Sequence, residues 1–134
     1  MIVADVNLLA YLLIPGERTA EAEAVLAKDP VWVMPPLWQS ELRSVLLKYV
    51  RGGVLTISHA LGVWDTAMSV IAGREGEPET RLVLKLAQQA GRSSYDCEYV
   101  ALASLLDVPL VTADRSLAKA FPDTARSPEI FLAI

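Results

Sequence analysis

The sequence predicts a three-layer α/β fold, in which helices flank a mainly parallel central sheet of four to five strands. Short apolar runs of β-type composition alternate with longer segments of helical periodicity, which is the pattern of sheets built from β–α units. Hydrophobic residues make up 53% of the 134 residues, slightly above the usual share in soluble domains, and this suits a sheet buried on both faces. The length predicts a single domain over residues 1–134.

The first half of the chain contains two of the predicted strands. Ile2–Asp5 is a buried strand, and Leu8–Leu13 is a short helix that stops at Pro15. The alanine- and glutamate-rich Thr19–Lys28 segment is a helix, and Val31–Met34 is the second strand. This strand–helix–strand order is typical of parallel pairing.

Three helices are predicted before the next strand. The first opens at a proline pair and runs to Arg51, the second covers Ser58–Gly73, and the third covers Pro78–Ala90. An apolar stripe follows the second of these helices and consists of Leu61, Trp64, Met68 and Ile71. Such a stripe is usually core, but together with the apolar composition it also suits a subunit surface, so we expect a homodimer.

The last part of the chain returns to short elements. A helix over Tyr95–Leu106, with serines available as caps, leads into a strand over Pro109–Thr112. Ser116–Phe121 is a short helix, and Pro128–Leu132 is interpreted as the last strand.

Acidic residues stand at the ends of these elements. Asp5 closes the first strand, Asp96 lies in the first turn of a helix, and Asp114 follows the third strand. Ligands bind at the carboxyl edge of open α/β sheets, so we expect these acids on one rim. Asp5 or Asn7 could instead only cap a helix, and a glutamate early in a helix, such as Glu41, is usually solvated.

Composition excludes several other kinds of site. The single Cys97 and the single His59 exclude an internal disulfide framework and an ordinary Cys/His zinc site. The net charge of −4 gives no global basic field for nucleic acid. The apolar N-terminus lacks a basic leader and contains polar residues, so we expect a cytoplasmic protein with no membrane segment.

Four short motifs together resemble those of the PIN-domain nucleases, and most closely the VapC-type toxins of toxin–antitoxin modules. The motifs are Asp5-x-Asn7, Ser40-Glu41-Leu42, Tyr95-Asp96 and the run ALASLLDVPLVTAD, which ends at Asp114. Each motif is short, but their order and their places at the element ends make the combined pattern specific. The likeness extends from Ile2 to at least Leu117.

The resemblance implies a catalytic group of four acids, namely Asp5, Glu41, Asp96 and Asp114. It implies that Asp5, Asp96 and Asp114 bind metal, and that Asn7 and Thr112 orient the acids. Carboxylate clusters suit hard cations, so Mg²⁺ or Mn²⁺ is expected. Such a cluster without metal should repel itself and raise the pKa of at least one acid. Arg115 adjoins an acid of the site and is the candidate contact for a substrate phosphate.

The expected function is therefore that of a metal-dependent endoribonuclease, a toxin whose partners are RNA and a cognate antitoxin. A PIN nuclease of RNA processing would share the site, and a neighbouring antitoxin reading frame would separate the two. A non-catalytic PIN-like RNA-binding module would usually lack one acid, whereas all four are present. A receiver or phosphatase-type domain is disfavoured because no aspartate follows the Val31–Met34 strand.

Overall fold

The computed structural model describes residues 1–134, which form one parallel sheet and eight helices. The strands are β1 (Ile2–Ala4), β2 (Trp32–Val33), β3 (Leu110–Val111) and β4 (Ala125–Arg126). They lie in the order β2–β1–β3–β4, and each neighbouring pair is parallel. The predicted α/β fold with a parallel sheet flanked by helices is confirmed, with four strands.

The structure has eight helices, and all except the last begin and end close to the predicted residues. They are α1 (Val6–Leu13), α2 (Thr19–Lys28), α3 (Trp38–Arg51), α4 (Ile57–Ile71), α5 (Thr80–Ala90), α6 (Ser94–Leu106), α7 (Arg115–Ala120) and α8 (Pro128–Ala133). Local signals account for several of these bounds. Gly91 ends α5 in the left-handed conformation, and the Ser93 hydroxyl caps α6 by accepting the Asp96 N–H. None of the eight helices combines the length and the apolarity needed to cross a membrane.

The register of the sheet brings the ends of two strands together. Val3 of β1 lies opposite Val33 on one side and Leu110 on the other, and all three strands are buried. Their carboxyl ends therefore reach the same edge, where Asp5 follows β1 and Thr112 follows β3. Asp5 and Thr112 are the buried polar residues of the protein, at 7% and 1% exposure. The polar part of the otherwise apolar interior therefore lies at this edge of the sheet.

Helix α6 lies directly against this part of the sheet. It packs on β1 and β3, and α5 packs on its other side. Six of its thirteen residues are buried: Cys97, Tyr99, Val100, Ala101, Leu102 and Ala103. Because α6 packs on both central strands, it brings Asp96 in its first turn to the carboxyl edge of the sheet.

The predicted last strand is wrong. Pro128–Leu132 belongs to helix α8, and the fourth strand is instead β4, just before it. The Ser127 hydroxyl caps α8 by accepting the Ile130 N–H, proline occupies its first position, and Glu129 lies in its first turn. Serine followed by proline and an acid is a strong helix start, and it outweighs the apolar composition of the segment.

The apolar stripe of α4 divides between core and surface. Ile71 is only 1% exposed and belongs to the core, whereas Leu61 and Met68 are 60% and 37% exposed. Trp64 is half-buried and stacks on Trp38, with ring centroids 5.8 Å apart. Helical residues seven apart are offset by only about 20°, so the four residues form two pairs on adjacent faces rather than one surface.

Candidate active site

Asp5 lies at the end of β1 and contacts a threonine from β3. The Thr112 hydroxyl donates to Asp5 Oδ2 at 2.6 Å, and the same Oγ1 accepts the Asp114 N–H at 3.0 Å. Asp5 is the residue before α1, but its carboxylate does not cap that helix. Thr112 therefore orients the first acid and the backbone of the last one. Asn7 is half-buried in α1 and makes no side-chain hydrogen bond to these acids, so its supporting role stays a prediction.

Glu41 lies in the first turn of α3, which begins at Trp38. The Tyr99 hydroxyl donates to Glu41 Oε1 at 2.6 Å. Tyr99 is buried, and its pKa is raised strongly by burial and by the charge of Glu41, so its hydroxyl stays protonated and remains a donor. Glu41 is thus not the solvated helix-start glutamate that local statistics favour.

Asp96 and Asp114 share one cationic partner, Arg92. Its Nη2 donates to Asp96 Oδ2 at 3.1 Å and to Asp114 Oδ2 at 3.4 Å, while its Nη1 donates to Ser116 Oγ at 3.1 Å. The two acids were expected on one rim, and their oxygens do converge on a single nitrogen atom. This convergence is the clearest geometric feature of the site.

Asp114 combines this contact with helix capping. Its Oδ1 accepts the backbone N–H groups of Ser116 at 3.0 Å and Leu117 at 3.1 Å, and also the Ser116 hydroxyl at 2.8 Å. Burial works to raise the pKa of Asp114, but these hydrogen bonds and the charge of Arg92 outweigh it and lower the pKa. Oδ1 of Asp114 thus caps α7, and Oδ2 faces the site.

Tyr99 and Arg92 were not predicted as site residues. Their spacing from Asp96 could have indicated this role. Arg92 lies four residues before Asp96, and Tyr99 lies three residues after it. Both side chains can therefore reach the region of Asp96 from one short stretch of chain.

The family model of the PIN domain matches residues 2–121. The chain belongs to the PIN-domain family. The match contains all four acids and ends before β4 and α8. Ribonuclease VapC3 from Pyrobaculum aerophilum is 28% identical over 124 residues, which cover 90% of this chain and 95% of that protein.

Two solved structures share the architecture of this PIN domain. PAE2754 from Pyrobaculum aerophilum superposes with a TM-score of 0.76 at 22% identity, covering 98% of this chain and 86% of that one. FitAcB from Neisseria gonorrhoeae superposes with a TM-score of 0.72 at 18% identity, covering 96% and 99% of the two chains. At these identities the likeness establishes the fold.

Two acids of this PIN domain, Asp5 and Glu41, have raised pKa values. Burial is the main cause of a raised pKa at Asp5 and at Glu41. The Thr112 and Tyr99 hydroxyls oppose the rise by hydrogen bonding, while the charge of Asp96 adds to it at both acids. The expectation that at least one acid has a raised pKa is confirmed. Its cause is corrected, because burial contributes more than repulsion.

The donor chemistry of the site fits a hard divalent cation. No three of the acidic side chains are close enough to enclose one ion, but Asp96 and Asp114 already hold a positive charge between them. Mg²⁺ is commonly bound by one or two protein carboxylates, with water and substrate phosphate as the remaining ligands. The Arg92 guanidinium thus stands where such a cation could bind.

Proposed function

We propose that this PIN domain, as one unit over residues 1–134, is a VapC-type endoribonuclease that hydrolyses RNA phosphodiester bonds with Mg²⁺ or Mn²⁺. The proposed catalytic residues are Asp5, Glu41, Asp96 and Asp114. Asp96 and Asp114 are the proposed metal ligands at the rim, and Asp5 is proposed as the third ligand once a bound ion draws the three acids together. The observation that carries the proposal is the convergence of two carboxylates on one cation beside the buried Asp5 and the half-buried Glu41. Similarity to Ribonuclease VapC3 supports RNA as the substrate.

The acids have distinct parts in the proposed reaction. A divalent cation, when bound, would lower the pKa of water and offset charge on the phosphate. Asp96 and Asp114 would hold that cation at the rim. Tyr99 holds Oε1 of Glu41, and the raised pKa of Glu41 makes its carboxylate a better proton acceptor, so Glu41 takes a proton from the attacking water. Thr112 keeps the Asp5 carboxylate fixed toward the same edge.

A basic groove beside Asp114 is the proposed path of the RNA backbone. Arg115, Lys119 and Arg126 line a groove of about 510 Å³ between α7, β4 and α8, together with Glu129. None of the three cations forms an ion pair with an acidic side chain. Unpaired cations beside a site are suited to phosphate contacts, which position a nucleic acid without reading its sequence. Arg115, next to Asp114, is the proposed contact nearest the reaction.

Cleavage of a single-stranded RNA tests the metal mechanism. We expect cleavage with Mg²⁺ or Mn²⁺, loss of cleavage with EDTA, and loss in Asp96→Asn. Asp65→Asn is the matched control, because Asp65 is an exposed acid on α4 outside the site. Full activity after chelation, or in Asp96→Asn, contradicts the proposal. RNA binding without cleavage would instead indicate the alternative of a non-catalytic PIN-like module.

The proposed partners are a second copy of the chain and a cognate antitoxin, in the cytoplasm. The exposed side of α4 supports a protein contact, since Leu61 and Ile57 line an apolar groove of about 370 Å³ between α3 and α4. Light scattering should give a dimer for the wild type and a monomer for Leu61→Lys. A wild-type monomer at high micromolar concentration contradicts the dimer.

Co-purification tests the assignment to a toxin–antitoxin module. We expect the product of an adjacent small gene to bind this chain and to inhibit its cleavage of RNA. Cleavage without any such partner would favour the alternative of an RNA-processing nuclease.

A further inference from the structure

The Arg92 side chain is largely buried and is fixed in the site by hydrogen bonds. Its side chain is 19% exposed, compared with 36% for Asp96 and 35% for Asp114. Three hydrogen bonds fix its two terminal nitrogens, whereas its buried Nε has no hydrogen-bond partner. A guanidinium enclosed with one donor unpaired is not a solvated surface cation, because that position costs desolvation.

We infer that Arg92 is a resident cation that competes with the divalent metal for Asp96 and Asp114. The inference rests on the proposed function, since it concerns the same site. Arg92 Nη2 uses one oxygen of each acid, the Oδ2 atoms, and those oxygens face the site. The other oxygen of Asp114 is committed to capping α7, so Asp114 has no second free oxygen for a metal.

Geometry and charge make the metal and Arg92 compete for these oxygens. Mg²⁺ binds oxygen at about 2.0–2.1 Å, so an ion on the two Oδ2 atoms would lie against Arg92 Nη2. A metal and a guanidinium on the same two oxygens would also repel each other across a few ångströms. Metal binding at the Oδ2 atoms therefore displaces Arg92 Nη2 from them. Ser116 Oγ, which accepts from Nη1, can keep the side chain at the edge of the site.

Two possible roles of Arg92 predict different effects of its removal on metal affinity. If Arg92 only stabilises the fold, its removal lowers stability and leaves metal affinity unchanged or weaker. If Arg92 is a competing cation, its removal frees the Oδ2 atoms of both acids and strengthens metal binding. Metal affinity in the absence of RNA therefore decides between them, independently of catalysis.

The experiment is a calorimetric titration of Mg²⁺ and Mn²⁺ into metal-free wild type, Arg92→Gln and Arg92→Lys. We expect Arg92→Gln to bind Mn²⁺ about tenfold more tightly than wild type, given the modest strength of two partly exposed ion pairs. Arg92→Lys keeps the charge but not the forked geometry, so its affinity should lie between the two. Arg81→Gln, which removes an exposed and unpaired cation from α5, should stay within about twofold of wild type.

A second measurement uses the wild-type protein and does not depend on any variant folding. The Nε–H resonance of Arg92 in protein labelled with ¹⁵N-arginine should shift as metal is added, and its exchange with water should become faster. An Arg92 signal that stays unchanged at saturating metal overturns the inference.

The outcomes also separate this inference from the proposed function. Metal binding to wild type with equal or weaker binding to Arg92→Gln overturns the resident-cation role and leaves the metal-dependent nuclease intact. The absence of metal binding in both proteins overturns both.

Discussion

The four acids form two pairs that are stabilised in different ways. Asp5 and Glu41 are the inner pair, and each accepts a short hydrogen bond from a neutral hydroxyl, at 2.6 Å in both cases. Asp96 and Asp114 are the rim pair, and they share the guanidinium of Arg92. Burial raises the pKa of both inner acids, whereas hydrogen bonds and Arg92 lower the pKa of Asp114.

Solvent access accounts for this difference. A buried carboxylate next to other acids favours its neutral form, because burial penalises charge and repulsion adds to the penalty. A hydroxyl donor reduces that penalty without adding a second charge to be desolvated. At the rim, water reaches about a third of each side chain, so an ion pair costs less to form there. The site therefore keeps its exchangeable cation at the rim and its hydroxyl donors inside.

The largest expected effect comes from neutralising an inner acid. Asp5→Asn should reduce RNA cleavage by at least about 100-fold, since even residues that only support metal ligands contribute about 10–100-fold. The same change should raise the melting temperature of the metal-free protein at pH 7, because it removes a buried charge and keeps an acceptor for Thr112. Cleavage rates and melting curves in EDTA measure both effects. Retained cleavage would contradict a catalytic role for Asp5. A lower melting temperature would contradict the claim that its buried charge destabilises the metal-free protein.

Removing the inner hydroxyl of Tyr99 should give the next largest effect. Tyr99→Phe leaves the Glu41 carboxylate half-buried without its donor, so the free energy of unfolding should fall by about 1–3 kcal/mol. Urea denaturation measures the change. Tyr95→Phe is the matched control, because Tyr95 is 62% exposed on the same helix and makes no side-chain hydrogen bond. Equal stability of the two variants would mean that the Tyr99 contact contributes nothing.

The dependence of stability on pH should differ in sign between the two inner acids and Asp114. The ordinary pKa values are 3.8 for Asp5 and 4.5 for Glu41, and both are raised in the folded protein. Above these values the folded state holds more protons than the unfolded chain, so metal-free stability should fall as pH rises until the folded pKa values are passed. Asp114 acts oppositely: its lowered pKa stabilises the fold above about pH 3.8, and this stabilisation is lost as pH falls.

Urea denaturation from pH 4 to pH 8 in EDTA tests this prediction. Asp5→Asn should flatten the decline above pH 4, because it removes one of the acids whose pKa is raised. A wild-type stability that rises across this range would contradict the raised pKa values of the inner pair.

The smallest effect is expected at the rim. Asp96→Asn removes one ion pair of Arg92 and also one charge near Asp5 and Glu41, so the two consequences oppose each other. Metal-free stability should change by less than about 1 kcal/mol, as is usual for an ion pair this exposed. Thermal unfolding in EDTA measures the change. A loss well above 1 kcal/mol would show that the rim is as strongly coupled to the fold as the inner pair.

Local sequence signals determined most of the architecture and the order of the acids. Thr19–Lys28 is a helix with the predicted ends, and the short apolar runs that precede Asp5 and Asp114 are the two central strands. These features depend on periodicity, caps and helix breakers within a few residues, so they can be read from the chain directly. The same kind of signal was present before α8. The sequence prediction gave more weight to the apolar composition of this segment than to its serine cap and proline, and so it predicted a strand.

Only the tertiary structure decided how the acids are paired. Thr112 and Asp5 are 107 residues apart, and Tyr99 and Glu41 are 58 residues apart, yet each pair forms a 2.6 Å hydrogen bond. Sequence spacing predicts neighbours within a helix turn, but contacts across the sheet depend on strand order and on the depth at which each helix packs. Burial is likewise a property of the packed protein, so which acids have a raised pKa could not be read from residue types alone.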